Sequence, residues 1–406
     1  MSDLIKIAVI GGGAAGMMAA GTAKECGADV TIYEQMDFLG KKLGITGKGR
    51  CNVTNLCDTE EFMANVTKNS RFLYSAHSAF DAYAVMSFFE DLGVRLKVER
   101  GNRVFPESDR AKDIVDALRK YVGKCKIKKE KVKSLKKTSD GFIINGESLF
   151  DRVIIATGGK SYPLTGSDGS GYKLAAKLGH TVTELLPSLI PITSPSPICQ
   201  DMQGLSLKNV SLKIKDKDGR TKYEDFGEMM FTHFGITGPM VLSASAHLRN
   251  TDISTLTAYV DLKPALDEKE LDARLLSDFG EKSNKDLINS LGGLLPLKMI
   301  EPFIKKSGID PRKKVNAITK EERAKILKLL KGFDIPLKGF RPIEEAIITS
   351  GGIEVKEINP KTCQSKLVEG LFFAGEVIDV DAYTGGFNLQ IAFSTGYLAG
   401  KNAAEL

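Results

Sequence analysis

Ile5-Lys6-Ile7-Ala8-Val9-Ile10-Gly11-Gly12-Gly13-Ala14-Ala15-Gly16 is the stretch that decides the fold of this chain. Its first six residues are apolar except for Lys6, so they read as a buried strand running straight into a G-x-G-x-x-G turn. The small-residue stretch Met17–Cys26 continues as a helix, and Asp29–Tyr33 reads as a second strand ending at Glu34. Gly11 permits the tight turn, and Gly13 lets the backbone approach a pyrophosphate at the positive end of the helix. Gly16 allows the helix to pack closely on the strand, and Ala14 and Ala15 belong to the same phosphate-facing turn. Glu34, 18 residues beyond Gly16, is placed to accept hydrogen bonds from both ribose hydroxyls of a dinucleotide, with Gln35 beside it. Strand, glycines, helix, strand and terminal acid in register are far more specific than the glycines alone.

The rest of the composition narrows the class. The chain has 406 residues, of which 42% are apolar and 27% charged, enough to bury a sizeable core and exclude wholesale disorder. Length alone predicts two to three domains. The six cysteines contain no C-x-x-C pair, and the four histidines (77, 180, 233 and 247) lack ligand spacing. Neither a disulfide framework nor a metal site is expected. No uncharged run reaches the roughly 18 residues of a membrane-spanning helix, and Ile7–Ala23 carries a spaced glycine turn rather than a signal core. The expectation is a soluble, cytoplasmic protein with no membrane partner. Formal net charge is +6, much of it in Lys120–Lys137, where nine lysines face one Glu. That run reads as a solvated edge strand, since nucleic-acid surfaces usually interleave aromatics and this one has only Tyr121.

The glycine fingerprint does not distinguish NAD from FAD, and the later segments decide. Asp151–Ile155 is another buried strand ending in the small-residue turn Ala156-Thr157-Gly158-Gly159. Gly370–Ala374 repeats the theme and ends at Gly375-Glu376. Gly385-Gly386-Phe387-Asn388-Leu389-Gln390 then opens a helix to about Ala404. A dinucleotide domain assembled from the first, middle and last thirds of the chain is how two-domain FAD enzymes are built. There the last helix turns its positive end toward the flavin pyrimidine ring.

Gly40-Lys41-Lys42-Leu43-Gly44-Ile45-Thr46-Gly47-Lys48-Gly49-Arg50-Cys51-Asn52-Val53-Thr54-Asn55 closely resembles a signature of one family of bacterial NAD(P)/FAD-dependent oxidoreductases, known as BaiN-like or aminoacetone-oxidase-like. Gly158–Pro163, Phe231–Pro239 and Gly375–Gln390 extend the resemblance along the whole chain, with Gly44 as a departure where a larger residue is expected. The resemblance implies that Arg50, Cys51 and Asn52 line the FAD site, with Val132 on the adenine side; no His or Cys stands at a recognisable flavinylation motif, so the FAD is expected to be non-covalent. Lys41, Lys42, Lys48 and Arg50, set among glycines that include Gly49, suit a loop that wraps a polyanion with backbone and cationic donors.

The resemblance also implies an α/β architecture. A Rossmann-like, glutathione-reductase-like FAD domain (1–190 and 345–406) is interrupted by an insertion (191–344). Within the insertion, 191–264 is mainly β, with a small barrel-like sheet, and 265–344 is mainly helical. Pro187–Pro197 marks the boundary, Leu205–Phe231 alternates about the turn Asp216-Lys217-Asp218-Gly219, and Lys320–Lys331 has helical spacing.

The implied activity is hydride transfer between flavin and a small organic substrate. One form is NAD(P)H-driven reduction of an activated C=C bond, as in a bile-acid-type enone. A second is oxidation of a small amine such as aminoacetone, and a third is a flavin-bearing RNA-associated protein docking through the lysine run. His233, Tyr162 and Tyr383 are the candidate proton donors, the alternative for His233 being an ordinary core histidine. Cys51 and Cys57 are separated by five residues, unlike the C-x4-C of flavin disulfide reductases. Oligomeric state is not legible.

Overall fold

The computed structural model describes residues 4–406. The chain divides into two compact units, one running to Ser188 and resuming at Pro342–Leu406, the other Leu189–Arg341.

The first unit is built on a five-stranded sheet. Its central strand, Lys6–Ile10, pairs in parallel with Asp29–Glu34 on one side and Arg152–Ile155 on the other; Lys126–Lys129 and Leu371–Phe373 form the edges. Alternation explains why the central strand is apolar throughout. Ile7 and Val9 enter the core shared with the first helix (Ala14–Glu25) and the terminal helix (Phe387–Glu405), while Ala8 and Ile10 enter the core on the opposite face. A three-stranded antiparallel meander, Leu135–Thr138, Gly141–Ile144 and Ser148–Phe150, contributes Phe142 and Ile144 to that second core.

The two helices of the first core approach very closely, and the reason is their small residues. A Cβ on Gly400 would come within 2.3 Å of the Ala19 carbonyl oxygen, and one on Gly396 within 2.6 Å of that of Ala15. Glycine at both positions lets the C-terminal helix lie directly on the first helix, so the last twenty residues complete a domain begun by the first thirty.

The lysine-rich run contains the edge strand Lys126–Lys129, whose four residues are all exposed. Lys126, Lys129 and Lys131 pair with Asp29, Asp37 and Asp168, and Lys137 lies over the Phe142 ring at 4.4 Å. Charged side chains on an open edge block further strand pairing.

The second unit carries a seven-stranded, wholly antiparallel sheet. Its longest hairpin joins Ser206–Asp216 to Thr221–Thr232, with the Asp216 carboxylate accepting from the Asp218 and Arg220 amides at the turn. Helices Glu268–Glu281, Leu297–Ser307 and Lys320–Lys331 pack Leu271, Leu275, Phe303, Ile326 and Leu330 into the same core. Two of them begin with capping boxes, Asp267 with Glu270 and Thr319 with Glu322. Among the described residues no helix is long and apolar enough to cross a membrane.

Candidate functional site

Four turns leave the carboxyl ends of the parallel strands on the same edge of the sheet: Gly11–Gly13, Glu34–Met36, Ala156–Gly159 and Ala374–Glu376. Open α/β sheets bind their ligands along this edge. The backbone explains the glycines there. A Cβ on Gly11 would stand 2.5 Å from the Ala156 oxygen, and one on Gly16 would stand 1.8 Å from the Gly11 oxygen. Gly13, by contrast, faces open space, so only there is room left in front of the helix N-terminus for a ligand.

Glu34 is held by its own loop: one carboxylate oxygen accepts from the Gly12 amide and the other from the Met36 amide, each at 2.8 Å. Both oxygens retain a further lone pair for a ribose hydroxyl. Gln35 donates to the Gly166 carbonyl at 2.8 Å, which ties this loop to the turn before helix Ser170–Lys177. Val132 is buried in the core beneath the meander.

On the far side of the edge, Lys42 reaches into a polar cluster. Its ammonium donates to Ser161 Oγ at 2.7 Å and to Glu376 Oε2 at 2.9 Å. The other Glu376 oxygen accepts from the Thr349 amide at 2.8 Å, and Thr349 Oγ1 accepts from the Lys160 amide. A Cβ on Gly159 would press to 2.7 Å from Glu376 Oε1, so that glycine is the lid of the cluster. Lys41 is half-buried beside this loop, and Gly49 is exposed with φ +84°.

Arg50, Cys51 and Asn52 follow a segment in which Gly47, Lys48, Gly49 and Cys51 all take left-handed φ. That backbone sends the three side chains different ways. Arg50 lies over the Phe105 ring at 4.2 Å and pairs with Glu99 and Asp109 on the surface. The Arg50 hydrogen bond holds the Glu99 carboxyl below its usual range. Cys51 is fully buried, and burial pushes its thiol up to about 12; Cys57 is likewise pushed up to about 11. Both are protonated thiols at neutral pH, and all six cysteines are free. Asn52 leaves its Oδ1 buried without a partner.

The terminal helix starts at Gly386, φ +105°, where a Cβ would meet the Thr54 carbonyl at 2.3 Å. Asn388 locks the turn by bonding both the Ala382 amide and carbonyl. Leu389 is half-buried, and Gln390 is buried with its amide on the Phe80 carbonyl. Tyr383 is half-buried just before this turn, and Tyr162 is 38% exposed with φ +53°. In the other unit, His233 lies exposed in the turn between Thr221–Thr232 and Gly235–Thr237, edge-on to Phe234 at 4.9 Å. It is not a core histidine. Among the described residues no group of three His, Cys, Asp or Glu side chains could hold a metal ion.

The edge of the sheet fits FAD. Besides the open space at Gly13, buried polar oxygens without partners gather at the turns, Thr157 Oγ1 and Ser167 Oγ among them, with Asn52 Oδ1 in the wrapping loop. Buried orphans of this kind are expected where a polar ligand completes the hydrogen bonding. Thr349, whose amide and hydroxyl join the Glu376 cluster, escaped the sequence reading because nothing near it in the chain signals a site.

Fold and site together define an FAD-dependent oxidoreductase with a Rossmann-type domain. Within that class the chain belongs to the HI0933-like Rossmann-domain family, whose pattern matches residues 5–402, in keeping with the resemblance carried by Gly40–Asn55. It is 30% identical over 419 residues to the 3-dehydro-bile acid delta(4,6)-reductase of Clostridium scindens, covering 98% of this chain and 99% of the relative. It is 28% identical to the ribosomal RNA dihydrouridine synthase of Escherichia coli, covering 97% and 96%. Among solved structures, the 3-ketosteroid-delta4-(5alpha)-dehydrogenase of Rhodococcus jostii aligns over 100% of this chain and 98% of its own, with TM-score 0.53 and 14% identity. That likeness concerns the fold.

Proposed function

We propose that this protein reduces a carbon–carbon double bond conjugated to a carbonyl, taking its electrons from NAD(P)H. The observation that carries the reading is the full-length likeness to the delta(4,6)-reductase. The dihydrouridine synthase name describes related chemistry, since saturating uracil at C5–C6 also reduces a double bond conjugated to a carbonyl. No relative described above speaks for amine oxidation.

FAD, when bound, supplies the hydride. The residues Gly11, Gly13, Ala14, Ala15 and Gly16 would hold its pyrophosphate, Glu34 and Gln35 its adenosine ribose, and Val132 would line the adenine side. Lys42 and Glu376 would meet the ribityl chain, with Lys41 and the Gly49–Asn52 segment wrapping around them. The turns Ala156–Gly159, Gly375 and Gly386–Gln390 would close on the remainder. Conjugate reduction requires a proton at the carbon alpha to the carbonyl, and Tyr162, Tyr383 and His233 are the candidates to deliver it.

A small enone is the first substrate class. Uracil in RNA is the second, supported by the likeness to the ribosomal RNA dihydrouridine synthase. Stopped-flow reduction of the bound flavin by NADH and NADPH, followed by reoxidation with a 3-oxo-4-ene steroid or a uridine-containing RNA, tests both. Reoxidation by an amine-derived imine or by oxygen alone, with neither alkene effective, would overturn the proposal.

A further inference from the structure

Asn55 is the last residue of the glycine-rich block and stands in the short strand Thr54–Asn55, paired with Arg103–Pro106. Its side chain is 5% exposed. The amide nitrogen donates to two carbonyls, those of Gly101 and Gly385, each at 3.0 Å. Carbonyl oxygens only accept, so the orientation of this amide is fixed by its partners rather than by choice. Its Oδ1 is thereby turned away from both carbonyls, and it is buried with no hydrogen-bond partner. A buried amide acceptor left bare is rare and calls for a donor from outside the chain.

The place of this orphan identifies the donor. Gly385, held by Asn55, is followed by Gly386, which lies against the Thr54 carbonyl and caps the 19-residue terminal helix. The first-turn amides of that helix have no partners within it and present donors. Donors from a helix N-terminus beside one fixed acceptor complement a cyclic imide, whose edge reads acceptor, donor, acceptor. The pyrimidine edge of a flavin, C2=O, N3–H and C4=O, has this pattern. We propose that Asn55 Oδ1 accepts the hydrogen bond of the isoalloxazine N3–H, so that one amide both sets the turn at Gly385 and fixes the rotation of the flavin ring in its plane. The inference rests on the FAD reading and adds a residue outside the Arg50–Asn52 segment.

The test compares FAD with 3-methyl-FAD, which lacks the N3 proton, on the full-length chain stripped of flavin and reloaded, with binding followed by flavin fluorescence. Wild-type protein is expected to bind the methylated cofactor at least about tenfold more weakly, the scale of one lost hydrogen bond together with crowding by the methyl group. In Asn55→Ala the preference should shrink to within about twofold, whatever happens to absolute affinity. Should that variant fail to fold, FAD labelled with 15N at N3 in the wild type decides: the N3 proton must be protected from exchange with water. Equal affinity for the two flavins in the wild type, an undiminished preference in Asn55→Ala, or a freely exchanging N3 proton would each overturn the assignment. Failure to bind either flavin would instead overturn the FAD reading, and the assignment with it.

Discussion

Lys42 and Glu376, 334 residues apart in the chain, meet at 2.9 Å under the lid formed by Gly159. Their side chains are 24% and 18% exposed, and both share the fully buried Ser161 hydroxyl. The pair ties the FAD unit together, from the loop after the second strand to the turn after the last strand of the parallel sheet.

Lys42→Met should therefore lower stability by about 1–2 kcal/mol, between the values typical of exposed and of buried pairs. Glu376→Gln combined with it should cost less than the sum of the single changes, because each change removes the same contact. Urea unfolding of the two single variants and the double variant measures the coupling, and strict additivity would show that the pair contributes nothing.

Glu34→Ala should weaken FAD retention by about 1.5–3 kcal/mol, the scale of charge-assisted hydrogen bonds. The variant also strips the Gly12 and Met36 amides of their acceptor, so the turn loosens as well. Flavin content after extensive dialysis reads the effect. Wild-type protein, once denatured, should release intact FAD into the supernatant; flavin that stays with the precipitate would show a covalent link instead.

His233→Ala should lower turnover by roughly 10²- to 10⁴-fold if His233 delivers the proton. Because the residue is exposed, truncation opens no void, and the melting temperature should stay nearly unchanged. Turnover per bound flavin is the measurement; an unaltered value removes His233 from the chemistry and leaves Tyr162 and Tyr383.

Stability should fall as the pH drops below about 6.5, the ordinary histidine value. Burial lowers the pKa of both His77, stacked on Phe62 at 4.1 Å, and His180, whose ring bridges Ser365 and Glu357. A depressed histidine is neutral in the folded protein while the unfolded chain takes up a proton, so the stabilisation is present above 6.5 and is lost as pH falls toward the folded values. His77→Phe should flatten part of this slope, as followed by thermal melts between pH 8 and pH 5.

The sequence by itself determined the parts governed by short-range demands. A glycine needed for a turn, an apolar run with a period of two, and an acid at a strand end are all written within about thirty residues. From them follow the first strand, its turn and helix, the strand ending at Glu34, the hairpin at Asp216–Gly219 and the helix Lys320–Lys331. Tertiary structure alone decided which side chains meet. Arg50, read as a cofactor-lining cation, has its guanidinium on Phe105 between Glu99 and Asp109, 49 and 59 residues away. Lys42 finds Glu376, and Asn55 finds Gly385 across 330 residues. No local signal foretells such meetings. Side-chain direction after a left-handed segment such as Gly47–Cys51, and the pairing of charges brought together by the sheet, are set by the packed fold rather than by the identity of neighbours in the chain.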